Sequence, residues 1–204
     1  MPFTSLTEAP DDRKLPHFAT DNLVRRIFSP PKRLLSKYVS SGSSVADLGC
    51  GPGYFTIPMA ELTGPGGKVY AVDFDAGAVE EVARKAGARG FDRVVEARAG
   101  SAAEADFIPD GSVDFVFAHG LLCCMKDHSG ALSQIRRMLK KDGLAYLSVT
   151  KFGRKKDPRT VTAEEWECML KGFRVRGSGG GLLTRWALVS CDGESQGTEL
   201  ETPT

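Results

Sequence analysis

The stretch Ser44-Val45-Ala46-Asp47-Leu48-Gly49-Cys50-Gly51-Pro52-Gly53-Tyr54-Phe55-Thr56 constrains this chain more than any other. It reads as a short apolar strand, Val45 to Leu48, then three glycines spaced one apart, then a helical run from near Tyr54. A strand that turns directly into a helix leaves backbone N–H groups and the helix N-terminus facing an open cleft. Glycine suits such a turn because a Cβ would obstruct both the tight backbone and the close approach of a ligand. The dinucleotide fingerprint G-x-G-x-x-G places its third glycine one residue later, where this chain has Tyr54. Asp47 adds a carboxylate just ahead of the first glycine. That charge repels a pyrophosphate and attracts an ammonium group, so the motif points to a cationic ligand.

These residues resemble motif I of the class I S-adenosylmethionine-dependent methyltransferases, V-L-D-x-G-C-G-x-G, and the resemblance runs roughly from Val45 to Val189. The family's second signature is an acid at the end of the second strand, which hydrogen-bonds ribose hydroxyls. Lys68-Val69-Tyr70-Ala71-Val72-Asp73 supplies it, with Asp73 20 residues beyond Gly53. The segment from Gly100 to Asp114 resembles the family's G-D-A-x-x-L-P-F-x-D-x-S-F-D, whose Asp and following backbone N–H hold adenine. Ser101 stands where that Asp would be. A serine hydroxyl accepts a hydrogen bond without charge, so adenine contact is expected to pass to the backbone at Ala102. The resemblance therefore implies S-adenosylmethionine as cofactor. The contacts it implies are Asp47, Gly49, Cys50, Gly51, Gly53, Asp73, Phe74, Ser101, Ala102 and His119, with no metal ligands.

Strand and helix signals alternate from Val45 to Leu170, and two apolar runs, Phe173–Ser178 and Leu182–Ser190, follow around Gly179-Gly180-Gly181. The expected fold is α/β, a Rossmann-like doubly wound sheet of seven strands in the order 3-2-1-4-5-7-6. All strands but one of the closing hairpin are expected parallel, with helices on both faces. The helix from Tyr54 to Leu62 carries Pro58, late enough to predict a kink. Asp75 is expected to cap a helix with Val79, Val82 and Ala83 inward. Asp127 is expected to open another with Leu132, Ile135, Met138 and Leu139 on one face. Lys140-Lys141-Asp142-Gly143 occupies the place of the family's L-K-P-G-G turn, and Thr162-Ala163-Glu164-Glu165 is a capping box. Ahead of motif I, residues 1–19 are interrupted by prolines, Thr20-Asp21 offers a cap, and Ser29-Pro30 predicts a helix carrying Leu34, Leu35, Tyr38 and Val39. The expected division is 1–43 lid and leading helices, 44–190 cofactor-binding domain, and 191–204 mobile polar tail.

The 204 residues suit one domain with its own core, and a net charge of +1 gives no bulk bias toward nucleic acid or acidic membrane. No apolar run reaches transmembrane length, and the first residues lack the pattern of a secretory signal. Five cysteines without metal-ligand spacing predict reduced thiols and a cytoplasmic location. Lys151, Arg154, Lys155, Lys156 and Arg159 form a basic run, read either as solvated loop charge or as a guide for an anionic acceptor.

Methyl transfer from a sulfonium is an in-line displacement that requires the acceptor atom about 3 to 3.5 Å from the methyl carbon. A hydroxyl, thiol or carbon acid must also lose a proton, and His119, at the mouth of strand four, is the candidate base. The alternative for His119 is a wall of the adenosine pocket; His128 ranks next and His17 lies in the leading segment. Ala118-His119-Gly120-Leu121 is not the Asn/Asp-Pro-Pro-aromatic motif of methyltransferases acting on adenine or glutamine. The expected acceptor is therefore a small molecule. Cys123-Cys124 opens the alternative of a thiolate-dependent arsenite methyltransferase, although the register of that branch's cysteines is not matched, and small buried hydrophobes is the other reading. A cofactor-binding module without transfer activity is the remaining alternative, while a nicotinamide-dependent reductase is disfavoured by Asp47 and Tyr54.

Overall fold

The apolar runs that must bury both faces form strands lying side by side in parallel. The computed structural model describes residues 31–151 and 160–191. Its strands are β1 (Ser44–Leu48), β2 (Lys68–Asp73), β3 (Val95–Ala99), β4 (Val113–His119), β5 (Leu139–Thr150), β6 (Phe173–Gly180) and β7 (Thr184–Cys191). They form one seven-stranded sheet in the order β3-β2-β1-β4-β5-β7-β6, as the sequence predicts. β7 runs antiparallel to both β5 and β6, and the β1–β2, β1–β4, β2–β3 and β4–β5 pairs are parallel.

The helices are α1 (Pro31–Leu35), α2 (Thr56–Thr63), α3 (Ala76–Gly87), α4 (His128–Met138) and α5 (Ala163–Leu170), with a 3-10 turn at Ala102–Glu104. Two apolar clusters flank the sheet. One joins α1, α2 and α3 to Val45, Val69, Phe115, Phe117 and Tyr146. The other packs α4 and α5 against Leu48, Val116, Leu147 and Val189. Phe115, Phe117, Leu35 and Leu48 are fully buried, and each such side chain contributes about 1.5–3 kcal/mol over an exposed one.

Several local expectations shift. α2 begins at Thr56 rather than Tyr54, which puts Pro58 in the first helical turn, where its missing N–H lacks nothing. No kink needs to follow. In α3 the Asp75 carboxylate accepts from the Gly77 amide as a cap, but Ala83 is exposed, and Ala78 and Ala86 join Val79 and Val82 inside. α1 ends at Leu35, so Tyr38 lies in the turn that follows and Val39 just beyond it; Val39 is buried nonetheless and Tyr38 stacks on Phe115 at 5.1 Å. The segment 140–143 is not a turn ahead of strand five but a bulge within β5, between the pairs Val113–Leu139 and Phe115–Leu144. Leu139 accordingly lies in β5 and not on α4. The α5 capping box is present, with the Thr162 hydroxyl accepting from the Glu165 amide and the Glu165 carboxylate from the Thr162 amide. Strand β7 extends to Cys191, which pairs with Phe173.

The expectations for residues 1–30, for Arg154, Lys155, Lys156 and Arg159, and for the tail after Cys191 lie outside the described residues. His17 is among them. Among the described residues no helix is long and apolar enough to cross a membrane.

Candidate functional site

The glycine turn is tied to the end of the neighbouring strand. Beyond Leu48 the chain passes through Gly49 (φ +77°), Gly51 (φ +50°) and Gly53 (φ +88°), a region that side chains with a Cβ rarely enter. The amides of Gly49 and Cys50 both donate to the Val72 carbonyl, at 2.8 and 3.0 Å, and the Gly51 amide donates to Asp73 Oδ2 at 2.8 Å. A Cβ on Gly53 would come within 3.2 Å of Val82 Cγ2, so this glycine also sets how closely α3 approaches the turn.

Two carboxylates flank the turn in different environments. Asp47, at 2% exposure, accepts a 2.7 Å hydrogen bond from the Thr56 hydroxyl at the start of α2. Burial pushes its carboxyl up to about 7, against the pull of the Thr56 bond, and the charge of Asp73 pushes the same way. Asp73 is half-buried, and its second oxygen accepts from the Asp75 amide at 3.0 Å. Each of its oxygens thus retains a lone pair beyond the bond that fixes it. Cys50, between the glycines, is buried, and its thiol is held well above its ordinary value by burial and then by Asp47 and Asp73. It stays a neutral thiol.

The candidate adenine segment is joined to the same strand end. The Gly100 amide donates to the Asp73 carbonyl at 2.9 Å. Ser101 accepts from the Ala103 amide at 3.2 Å and so caps the 3-10 turn, with Ala102 buried behind it. Phe74, between Asp73 and Asp75, is half-buried.

His119 is the last residue of β4, at the carboxyl edge of the sheet, one strand over from Asp47. Its Nδ1 lies 2.7 Å from the hydroxyl of Ser148, its register partner in β5. Ser148 Oγ also accepts from the Gly120 amide at 3.1 Å. The imidazole stacks on Phe117 (centroids 5.6 Å apart, 21° between planes) and meets Phe55 edge-on at 5.3 Å. Tyr146 stacks on Phe117 and on Trp186 in turn, which extends the row of rings from β4 to β7. His128 is elsewhere: its Nε2 donates to the Leu122 carbonyl at 2.7 Å, which secures the loop after β4 to α4.

Cys123 is buried, its thiol donating to the Gly120 carbonyl at 3.3 Å, and Cys124 is half-buried. A hydrogen bond with Cys124 lowers the Cys123 thiol from its ordinary value, against the opposing effect of burial and with further help from Thr150. Both pack against the apolar cluster under α4, as small hydrophobes would. Thr56, Phe55, Ser148, Tyr146 and Trp186 were not distinguished by sequence reasoning. The one signal for Ser148 is a polar residue near the end of an apolar strand, Leu144-Ala145-Tyr146-Leu147-Ser148-Val149.

The residues at the turn fit S-adenosylmethionine on the chemistry of their donors and acceptors. A buried carboxyl with no cation beside it among the described residues, a backbone cradle that side chains would fill, and a half-buried carboxylate with spare lone pairs suit an ammonium and a vicinal diol. With this sheet order, they define the class I S-adenosylmethionine-dependent methyltransferase fold. The family model described as a methyltransferase domain matches residues 46–147, half of the sequence, and the chain belongs to that family. It is 35% identical over 118 residues to the nocamycin O-methyltransferase of Saccharothrix syringae, covering 57% of this chain and 41% of that one. It is 34% identical over 106 residues to the demethylmenaquinone methyltransferase of Geobacillus stearothermophilus, covering 52% and 44%. The chain thus spans less than half the length of these curated relatives in the matched region. The crystal structure of an S-adenosylmethionine-dependent methyltransferase from Aquifex aeolicus superposes with a TM-score of 0.73 at 22% identity, covering 86% of this chain and 97% of that one.

Asp73→Ala is expected to weaken cofactor binding by about 1.5–3 kcal/mol, because hydrogen bonds to a charged acceptor are the stronger kind. Part of that loss comes from freeing the Gly51 and Asp75 amides that the carboxylate holds. Calorimetric titration with S-adenosylhomocysteine checks it; unchanged affinity in a folded variant would place the ribose elsewhere.

Proposed function

We propose that this chain transfers a methyl group from S-adenosylmethionine to a small, ring-containing acceptor through an acidic hydroxyl or carbon. The observation that carries the reading is the linked constellation of Asp47, the glycine turn and Asp73, with His119 at the end of the adjacent strand. S-adenosylmethionine, when bound, supplies an activated methyl carbon on a positive sulfur. Asp47 is suited to take the ammonium group, and Asp73 the ribose hydroxyls. His119 is suited to remove the acceptor's proton at Nε2 while Nδ1–H is directed to Ser148 Oγ, the usual division of labour in a positioned imidazole.

Two features favour a ring-containing acceptor. His119 lies at the end of a row of rings formed by Phe55, Phe117, Tyr146 and Trp186, of which Phe55 and Trp186 are only half-buried. Such surfaces favour planar apolar partners by offset or edge-on stacking. The relatives are named as a nocamycin O-methyltransferase, a demethylmenaquinone methyltransferase and an aklanonic acid methyltransferase, which is consistent with this chemistry.

The test has two parts. Calorimetry with S-adenosylhomocysteine and with a nicotinamide dinucleotide is expected to give binding of the first alone; the opposite preference would overturn the cofactor assignment. Methyl-labelled cofactor offered with a panel of hydroxylated naphthoquinols, polyketide phenols and aliphatic amines is expected to label the ring hydroxyls or ring carbons. Cofactor binding with no label in any member of the panel or in the metabolites of a cell extract would favour a binding module instead.

A further inference from the structure

A tyrosine hydroxyl taken out of water ordinarily finds a hydrogen-bond partner, because an unpaired buried donor is costly. Tyr146, in β5, is 8% exposed, and none of the described residues makes a hydrogen bond to its hydroxyl. The group is not walled in. Among the described residues, Arg185 Nε is the one buried side-chain polar atom that is both sealed and unpaired. The Tyr146 hydroxyl thus keeps an opening through which a ligand atom can reach it.

Strand register places that opening beside His119. Register partners on neighbouring strands present their side chains on the same face of a sheet. Tyr146 is opposite Phe117, and Phe117 is opposite Asp47. Ser148, two residues further along β5, is opposite His119 on one side and Trp186 on the other. All of these residues therefore share one face. The Tyr146 ring lies between Phe117, with centroids 5.2 Å apart, and Trp186, at 5.7 Å, and it is 6.3 Å from the His119 imidazole. A single flat ring resting on this face can touch both Tyr146 and His119.

Trp186 is fixed from the side of β6. A Cβ at Gly179 would meet its Cζ2 at 3.0 Å and its Nε1 at 3.1 Å, so the glycine lets the indole lie against β6. There it is half-buried and parallel to Tyr146 within 14°. Burial pushes the Tyr146 phenol up, and the nearby Tyr38 phenol pushes it the same way. Tyr146 keeps its proton and offers a donor. Its match is a ligand oxygen that only accepts, a ring carbonyl or a phenolate.

We infer that Tyr146 is an acceptor-recognition residue: its hydroxyl donates to a second oxygen, carbonyl or phenolate, on the ring whose hydroxyl or carbon is presented to His119, and Trp186 is the wall along which that ring lies. The inference rests on the methyl-transfer reading and narrows its acceptor to rings carrying such a second oxygen. A ring without it leaves the Tyr146 donor unpaired in the complex, and a site built around a hydrogen bond rejects analogues that lack the partner.

Calorimetric titration of the S-adenosylhomocysteine complex with 4-acetyl-1-naphthol and with 4-ethyl-1-naphthol, which differ in one carbonyl oxygen, tests this without methyl transfer. The acetyl compound is expected to bind about tenfold more tightly. Tyr146→Phe is expected to weaken the acetyl compound about tenfold and to leave the ethyl compound near its wild-type affinity, which removes the difference. Wild-type affinity for S-adenosylhomocysteine establishes that the variant folds. Gly179→Ala is a second variant, whose methyl displaces the indole, and it is expected to weaken both compounds alike. A Tyr146→Phe variant that keeps the difference overturns the inference, as does one that weakens both compounds equally, since the ring would then act by packing. Unchanged binding of both compounds in Gly179→Ala overturns the role of Trp186. A wild type that binds S-adenosylhomocysteine but neither naphthol overturns the inference and leaves the cofactor assignment standing. Failure to bind S-adenosylhomocysteine overturns that assignment and the inference with it.

Discussion

His119→Ala is expected to lower turnover by roughly 10²- to 10⁴-fold at saturating cofactor and acceptor, the range for loss of a positioned proton acceptor. The effect should fall on the chemical step, so affinity for S-adenosylhomocysteine should hardly change. The structure adds Ser148 to this expectation. Its hydroxyl accepts from the Gly120 amide and meets Nδ1 of His119 at 2.7 Å. If Nδ1 carries the proton, Nε2 is the basic nitrogen and Ser148 Oγ accepts twice. If Ser148 donates to Nδ1 instead, Nε2 carries the proton and serves as a hydrogen-bond donor to an acceptor oxygen. The two arrangements differ in their pH profile. A base requires turnover to rise with pH where imidazole ordinarily loses its proton, about 6 to 7, whereas a donor gives no such rise. Ser148→Ala removes the tautomer control while leaving the ring in place, and should cost less than loss of the ring itself. Saturation kinetics of both variants across pH separate these cases. Wild-type turnover in His119→Ala with weakened cofactor affinity would make His119 a wall of the adenosine pocket.

Much of this architecture was legible because parallel strands buried on both faces leave uninterrupted apolar runs. Val45–Leu48, Lys68–Asp73 and Val113–Ala118 could be placed almost to the residue for that reason. The glycine turn was legible because its three positive-φ positions tolerate no other residue cheaply. Helix faces were less secure. Ala83 fits an apolar period as well as Ala86 does, and only the position of α3 on the sheet decides which is inside. Pro58 is disruptive in a helix that starts at Tyr54 and harmless in one that starts at Thr56, since two residues of shift bring it into the first turn. The site was legible in its acids and glycines and not in their supporting groups. Ser148 and His119 are 29 residues apart, and no local pattern reports that β4 and β5 pair in the register that brings them together. Thr56 is next to the motif, but its bond to Asp47 depends on how α2 leaves the turn.

The environment of Asp47 leads to a second large effect, because among the described residues its ionised form has no partner cation. Burial raises it to about 7, the Thr56 hydroxyl opposes the rise, and Asp73 reinforces it. An ammonium group arriving at the carboxylate favours the ionised form, so below about pH 7 binding must release a proton. Cofactor affinity is therefore expected to fall as pH drops from 8 to 6, by at most tenfold per unit. The sign for stability runs the other way. A carboxyl raised above its unfolded value of 3.8 stabilises the fold fully below that value and loses the contribution as pH rises through about 7. On account of this group the unliganded protein is thus less stable at pH 8 than at pH 6, while the liganded protein recovers the difference. Asp47→Asn keeps an acceptor for Thr56 but no charge. At pH 8 it is expected to bind S-adenosylhomocysteine about 10- to 100-fold more weakly, to lose the pH dependence of affinity, and to melt no lower than the wild type when unliganded. Titrations at pH 6, 7 and 8 in two buffers of different ionisation enthalpy count the proton released. A wild-type affinity that is flat over this range with no proton released would mean that the ammonium group does not meet Asp47, and would direct the search for its partner to Asp73, the other carboxylate hydrogen-bonded to the turn.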